Sequence, residues 1–175
     1  MKVLAFAASN STESINKQLV TYAASLVDGA ETEVLDLNDY ELPLFSVDQE
    51  KALGQPDKAK AFFEKIGQSD ALVISFAEHN GSYSSAYKNL FDWASRINQK
   101  VFQGKKTVLL STSPGPGGAR NVLAAATTSA PHFAADVTAS LSVPSFYDNF
   151  DMETGSLKDE TLNNALKTAM ASLAS

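Results

Sequence analysis

The chain has 175 residues, enough for one domain with a sizeable core, and carries a formal net charge of −6. It has no cysteine and only two histidines, which excludes disulfides, thiolate catalysis, cysteine-ligated metals and a histidine metal cage. The acidic balance argues against nucleic acid as a partner; no apolar run reaches membrane-spanning length and no signal-like stretch opens the chain, so a cytoplasmic protein is expected.

Val3–Ala7 is an uninterrupted apolar run and reads as a first strand. Ile15, Leu19, Tyr22 and Leu26 then recur at helical spacing over residues 14–27. Glu33–Leu37 is a shorter strand with acidic residues interleaved, as expected near a sheet edge, and Leu42-Pro-Leu-Phe45 is a packed loop broken by proline. Pro56 and Asp57 open a helix with an apolar face of Ala59, Phe62, Phe63 and Ile66, and Gly67 is expected to end it. Ala71–Phe76 is a fully apolar third strand, followed by a helix over 84–98. Thr107–Ser111 is the fourth strand, 118–129 a helix, and Val137–Val143 the fifth strand. A cap between Ser156 and Asp159 starts the last helix, whose stripe is Leu162, Leu166, Met170 and Leu173.

Strands alternating with helices from end to end predict an α/β fold with a doubly wound parallel sheet, in one domain over residues 1–175. Ligands of such sheets sit beyond the carboxyl ends of the strands, where strand order reverses. The loops after strands one, three and four are therefore the ones to inspect.

The first, Ala7 to Asn16, joins a strand to a helix N-terminus through Ser9, Ser11, Thr12, Ser14 and Asn16. Helix-terminal N–H groups without partners and an aligned dipole suit an anion there, and the side chains add neutral hydrogen bonds; ordinary capping needs one or two such residues, not five. The second loop, Ala77 to Ser85, holds Asn80-Gly81, a strong turn pair whose glycine lets backbone approach a flat ligand. His79 within it has the chemistry of a general acid, against the plainer reading of a structural loop histidine. The third, Ser111 to Arg120, carries two prolines and three glycines, an extended surface suited to a ring lying against backbone. It lacks the Gly-Lys-Ser/Thr ending of a P-loop. Arg120 at the start of the next helix opposes the helix dipole, so either it has an acidic or phosphate partner or it is a solvated charge.

Together these loops resemble the NADPH-dependent FMN reductase family, a flavodoxin-like group that includes quinone, chromate and azo-dye reductases. Its first motif, approximately Gly-Ser-x-Arg-x-x-Ser-x-Asn, is here Ala8-Ser-Asn-Ser-Thr-Glu-Ser-Ile-Asn16. Its second, Pro-Glu-Tyr-Asn-Gly-Ser-x-Pro-Gly-x-x-Lys-Asn-x-x-Asp-Trp, is Ala77-Glu-His-Asn-Gly-Ser-Tyr-Ser-Ser-Ala-Tyr-Lys-Asn-Leu-Phe-Asp-Trp93. The third, a Ser-Pro-Gly segment leading to Gly-Gly-x-Arg, is Ser113-Pro-Gly-Pro-Gly-Gly-Ala-Arg120.

The resemblance implies a three-layer sandwich around a five-stranded parallel sheet of order 2-1-3-4-5. It also implies FMN as cofactor, NAD(P)H as hydride source, and a small acceptor such as a quinone, free flavin, azo compound or metal oxyanion. Carried over by position, Ser9, Ser11, Ser14, Ile15 and Asn16 surround the FMN phosphate. Ala77, Glu78, His79, Asn80 and Gly81 line the isoalloxazine edge, mainly through main chain, and Ser113, Pro114, Gly115 and Gly117 complete the pocket. No catalytic side chain and no metal are implied. A homodimer or homotetramer is, with Tyr83, Tyr87, Phe91 and Trp93 as candidate contacts, at least two of which are expected to be core. The family's phosphate-loop Arg is Ser11 here; losing one charge-assisted bond weakens FMN by about one order of magnitude. A flavodoxin-type electron carrier without turnover and a flavin-free binding or regulatory relative are the alternatives at this stage.

Overall fold

A computed structural model describes all of residues 1–175. In chain order its elements are β1 (Lys2–Ala8), α1 (Ile15–Ser25), β2 (Glu31–Leu35), a 3-10 turn (Leu37–Tyr40), α2 (Val47–Leu53), α3 (Asp57–Gln68) and β3 (Ala71–Phe76). There follow α4 (Ser85–Ile97), β4 (Lys106–Thr112), α5 (Arg120–Ser129), β5 (Asp136–Val143), α6 (Phe146–Asn149), β6 (Phe150–Asp151), β7 (Ser156–Leu157) and α7 (Glu160–Ala171).

The five long strands form one parallel sheet in the order β2-β1-β3-β4-β5, and β6 and β7 make a separate two-stranded antiparallel pair. The fold is thus the expected flavodoxin-like sandwich. β3 is buried along its whole length, and β1 and β4 apart from their first residues, because the sheet is covered on both faces. Alternation assigns the side chains to layers. Leu4, Phe6, Leu72, Ile74, Phe76 and Leu109 pack with residues of α3, α4 and α5 on one face. Val3, Ala5, Val73, Val108 and Leu110 pack with Leu19 and Val20 of α1 and Leu166 and Met170 of α7 on the other. Phe6 is fully buried and makes edge and stacked contacts with Phe62 and Tyr87; replacing such a side chain by Ala costs about 3–5 kcal/mol. No helix is long and apolar enough to cross a membrane.

Strand order reverses between β1 and β3. The register sets Ala8 beside Phe76 and Phe76 beside Ser111, so the loops after β1, β3 and β4 leave the sheet side by side. This is where a doubly wound sheet leaves a crevice.

Two expectations need correction. The second strand lies two residues earlier than the acidic alternation suggested, and Leu37 begins the 3-10 turn instead, with Asp36 as its cap. Gly67 does not end its helix: α3 runs through it to Gln68, and a Cβ there would come within 2.9 Å of the Gln103 amide oxygen. Its small size admits the Gln103 side chain, which donates to the Phe63 carbonyl. Helix α2 and the turn of α6 were not foreseen. Of the four aromatics proposed as subunit contacts, Trp93 and Tyr87 are core, as the plainer reading held, and the Trp93 indole donates to the Pro43 carbonyl at 2.8 Å.

Candidate functional site

A cleft of about 260 Å³ opens at the reversal point. Its walls are Ser9, Ser11, Glu13, Ser14, Ile15 and Asn16 after β1, Ala77, Glu78 and His79 after β3, and Thr112, Ser113 and Pro114 after β4, with Tyr147 at one side. Ten of the fourteen residues singled out by sequence therefore share one cavity; Asn80, Gly81, Gly115 and Gly117 do not line it, but belong to the same two bends. Gly81, Gly115 and Gly117 have no atom within 4 Å of where a Cβ would stand, so the bends present bare backbone to open space.

The first bend is built from hydroxyls that cap their own backbone. Ser9 Oγ accepts the Ser11 N–H, Ser11 Oγ accepts the Glu13 N–H, and Ser14 caps α1 by accepting the Lys17 N–H at 3.1 Å. The N–H groups of Ile15 and Asn16, in the first turn of α1, have no acceptor in the protein. They are the orphan donors that seat an anion. No Lys or Arg lines the cleft. Lys17, the basic residue of that first turn, is paired with Asp36 at 3.0 Å. Asp36 is held below the ordinary carboxylate range by the Asn38 N–H first and by Lys17 second.

Asn16 behaves differently from its expected role. Its side chain is buried and bonded at both ends: Oδ1 accepts from the Ser75 hydroxyl at 2.7 Å and the Thr112 N–H at 3.1 Å, and Nδ2 donates to the Thr112 carbonyl. The amide stitches α1 to β3 and β4, so Asn16 braces the wall that it lines.

The second bend is a tight hairpin. His79 and Ser82 exchange backbone hydrogen bonds of 2.9 and 3.1 Å, and Asn80 and Gly81 both take positive φ (54° and 80°), a conformation suited to Asn-Gly. The His79 imidazole makes no hydrogen bond with the protein and is exposed. Glu78 Oε1 accepts the Val122 N–H at 2.7 Å. The third bend is pinned by Gly118, whose carbonyl takes the Ser111 and Ser142 hydroxyls. Gly118 has φ 60°, and a Cβ there would collide with the Ser142 hydroxyl. Arg120 makes no ion pair, which favours the solvated reading of that charge.

Sequence reasoning missed Glu13, Thr112 and Tyr147 in the cleft wall. Tyr147 is 58% exposed and is carried by α6, whose preceding residue Ser145 is left-handed. The signal was the aromatic pair Phe146-Tyr147 just after the carboxyl end of β5, but that strand stands at the sheet edge, away from the reversal of strand order that singles out the loops after β1, β3 and β4.

Bare main-chain edges, an open helix N-terminus and a row of hydroxyls fit a phosphorylated planar ligand such as FMN, with the phosphate held by neutral donors alone. The sequence profile described as NADPH-dependent FMN reductase matches residues 1–148. The chain is 35% identical over 119 residues to an NAD(P)H-dependent FMN reductase of Pseudomonas aeruginosa, a match covering 67% of this chain and 63% of that protein. It is likewise 35% identical over 120 residues to a 2-hydroxy-1,4-benzoquinone reductase of Burkholderia, covering 67% and 63%. The chain thus spans slightly less than two thirds of the length of these curated relatives. Among solved structures it resembles FerB, a flavoenzyme NAD(P)H:(acceptor) oxidoreductase from Paracoccus denitrificans, at 26% identity and TM-score 0.77, covering 98% of this chain and 94% of that one.

Proposed function

The chain belongs to the NADPH-dependent FMN reductase family, and from that premise we propose that it binds FMN in this cleft and reduces a small acceptor, such as a quinone, at the expense of NAD(P)H. Free flavin, azo compounds and metal oxyanions are further acceptors of the same kind. The observation that carries the reading is the convergence of three backbone-rich bends and one open helix N-terminus on a single cavity.

In this reading the Ile15 and Asn16 amides and the hydroxyls of Ser9, Ser11 and Ser14 hold the phosphate. The main chain of residues 77–81 and of Ser113, Pro114, Gly115 and Gly117 meets the ring edge. Bound FMN supplies hydride acceptance and donation. The protein orients the reactants, excludes water on one side and offers fixed amide dipoles to developing charge. Hydride transfer through a flavin needs no acid–base pair from the protein, and in the cleft the Glu78 carboxylate is committed to Val122. The absence of side chains on Gly81, Gly115 and Gly117 leaves room for a second ring to approach. We further place the 175 residues as one flavin-binding domain acting in the cytoplasm as a homodimer or homotetramer.

The test is a visible spectrum after addition of FMN and removal of the excess, followed by NAD(P)H oxidation with and without a quinone. Retained flavin with quinone-dependent turnover is expected. A colourless chain that takes up no FMN sinks the reading, and bound flavin without turnover makes the protein a carrier instead.

A further inference from the structure

The helices that follow the first and third bends, α1 and α5, have N-termini that the chain treats differently. That of α1 is open, with two amides free. That of α5 is closed from a distance. Its own cap position, Ala119, is left-handed with φ 58° and has no side chain able to accept a hydrogen bond. Glu78, 44 positions earlier in the chain, fills the role by accepting the Val122 N–H at 2.7 Å. A carboxylate at a helix N-terminus gains both a charge-assisted hydrogen bond and the favourable end of the helix dipole.

The bend that carries Glu78 has few other ties. His79 and Ser82 bond only to each other across the turn. The backbone N–H groups of Ala77, Glu78, Asn80 and Gly81 have no acceptor in the protein. Beyond the turn, the Ser84 hydroxyl anchors the chain to the Ala8 carbonyl at 2.8 Å. Between the end of β3 and that anchor, two hydrogen bonds tie the segment to another element, both to α5: Glu78 takes the Val122 N–H at its start, and the Tyr83 hydroxyl pairs with that of Ser129 at its end.

We propose that Glu78 is a positioning residue for the flavin ring: its carboxylate locks the bend over residues 77–82 to the head of α5 and so fixes the main-chain donors that meet the ring edge. The proposal rests on the FMN reading above. Because α5 follows directly on Gly118, whose carbonyl is held by Ser111 and Ser142, the same contact joins the second and third bends into one stiff cradle. A bend ordered in advance needs no ordering when the ligand arrives, and the affinity benefits by that amount. Glu78 also places a negative charge at the positive end of α5, which makes that end a poor seat for a second anion, whereas the end of α1 stays open. Cutting the contact therefore acts on the ring and not on the phosphate.

The experiment titrates the apoprotein with FMN and with riboflavin, by flavin fluorescence, in the wild type and in Glu78→Gln, Glu78→Asp and Glu78→Ala. Gln keeps the reach without the charge and stays within about threefold of wild type for both flavins. Asp keeps the charge but falls one methylene short, and weakens both flavins about tenfold, as Ala does. Hydrogen exchange at the Val122 amide accelerates in Asp and Ala and not in Gln. Should Glu78→Ala not fold, the Asp and Gln pair carries the comparison. Wild-type affinity in the Asp variant, failure of Gln to restore it, or weakening of FMN with riboflavin unaffected overturns the assignment while leaving the FMN reading intact. A wild type that binds neither flavin brings down both.

Discussion

Asn16 shows how one side chain can be legible and still misplaced. Its position in a polar bend at a helix start marked it as a phosphate ligand, yet its amide closes three buried hydrogen bonds between α1, β3 and β4. Asn16→Ala leaves the Ser75 hydroxyl and both backbone groups of Thr112 unpartnered, and is expected to cost about 2–4 kcal/mol in urea unfolding. A loss below about 1 kcal/mol would show the clamp to be dispensable. A probe of the phosphate seat is better placed at Ser11, which is exposed and lines the cleft. Ser11→Arg adds the cation that the lining lacks. It is expected to tighten FMN about fivefold while leaving riboflavin unchanged, because a charge-assisted bond exceeds a neutral one by about 1 kcal/mol. Equal tightening of both flavins would place the phosphate elsewhere.

At the scale of elements, what could be read depended on how much of each element is buried. β3 is wholly buried and its limits were legible to the residue, whereas β2 has three exposed positions of five and slid by two. Helix α2 buries nothing, so it leaves no apolar period to detect, although Ser46 caps it by accepting the Gln49 N–H. Gly67 misled because the usual meaning of glycine near a helix end is a cap, while here it makes room for Gln103. The glycine whose conformation is demanded is Gly118. Gly118→Ala meets both a positive φ and the Ser142 hydroxyl, and should destabilise by about 2–4 kcal/mol in thermal or urea melts. The link between β2 and the first bend is ionic and therefore depends on pH. Asp36 accepts the Asn38 N–H and pairs with Lys17, while the Asn38 amide donates to the Asn10 carbonyl. Because the folded-state pKa of Asp36 lies below its ordinary value of 3.8, its contribution is complete above that value and is lost as pH falls through the depressed one. Asp36→Asn should accordingly match the wild type in acid and be the less stable of the two near neutrality; an equal gap at both pH values would remove this contribution.

The whole molecule leaves one face unfinished. Between α4 and α5 lies a cavity of about 360 Å³ lined by Phe76, Tyr83, Tyr87, Phe91, Phe102 and Phe133. The burial of Tyr87 and Trp93 reduces the aromatic contacts expected from sequence to Tyr83 and Phe91, and both border this cavity. At its rim Lys88 and Asp92 stand one turn apart on α4, paired at 2.8 Å and both partly exposed. That arrangement is self-complementary. A two-fold axis across α4 would set each Lys88 against the Asp92 of a second copy, as a closed isologous dimer requires. A second copy of the chain is therefore the expected occupant. Ala125 lines the same cavity yet is exposed, so Ala125→Arg should block the approach without touching the core. Sedimentation at micromolar concentration should show the wild type as a dimer or larger and Ala125→Arg as a monomer with an unchanged melting temperature. A monomeric wild type, or an assembly indifferent to arginine at this position, would assign the face to something other than self-association and leave the cleft to work within a single chain.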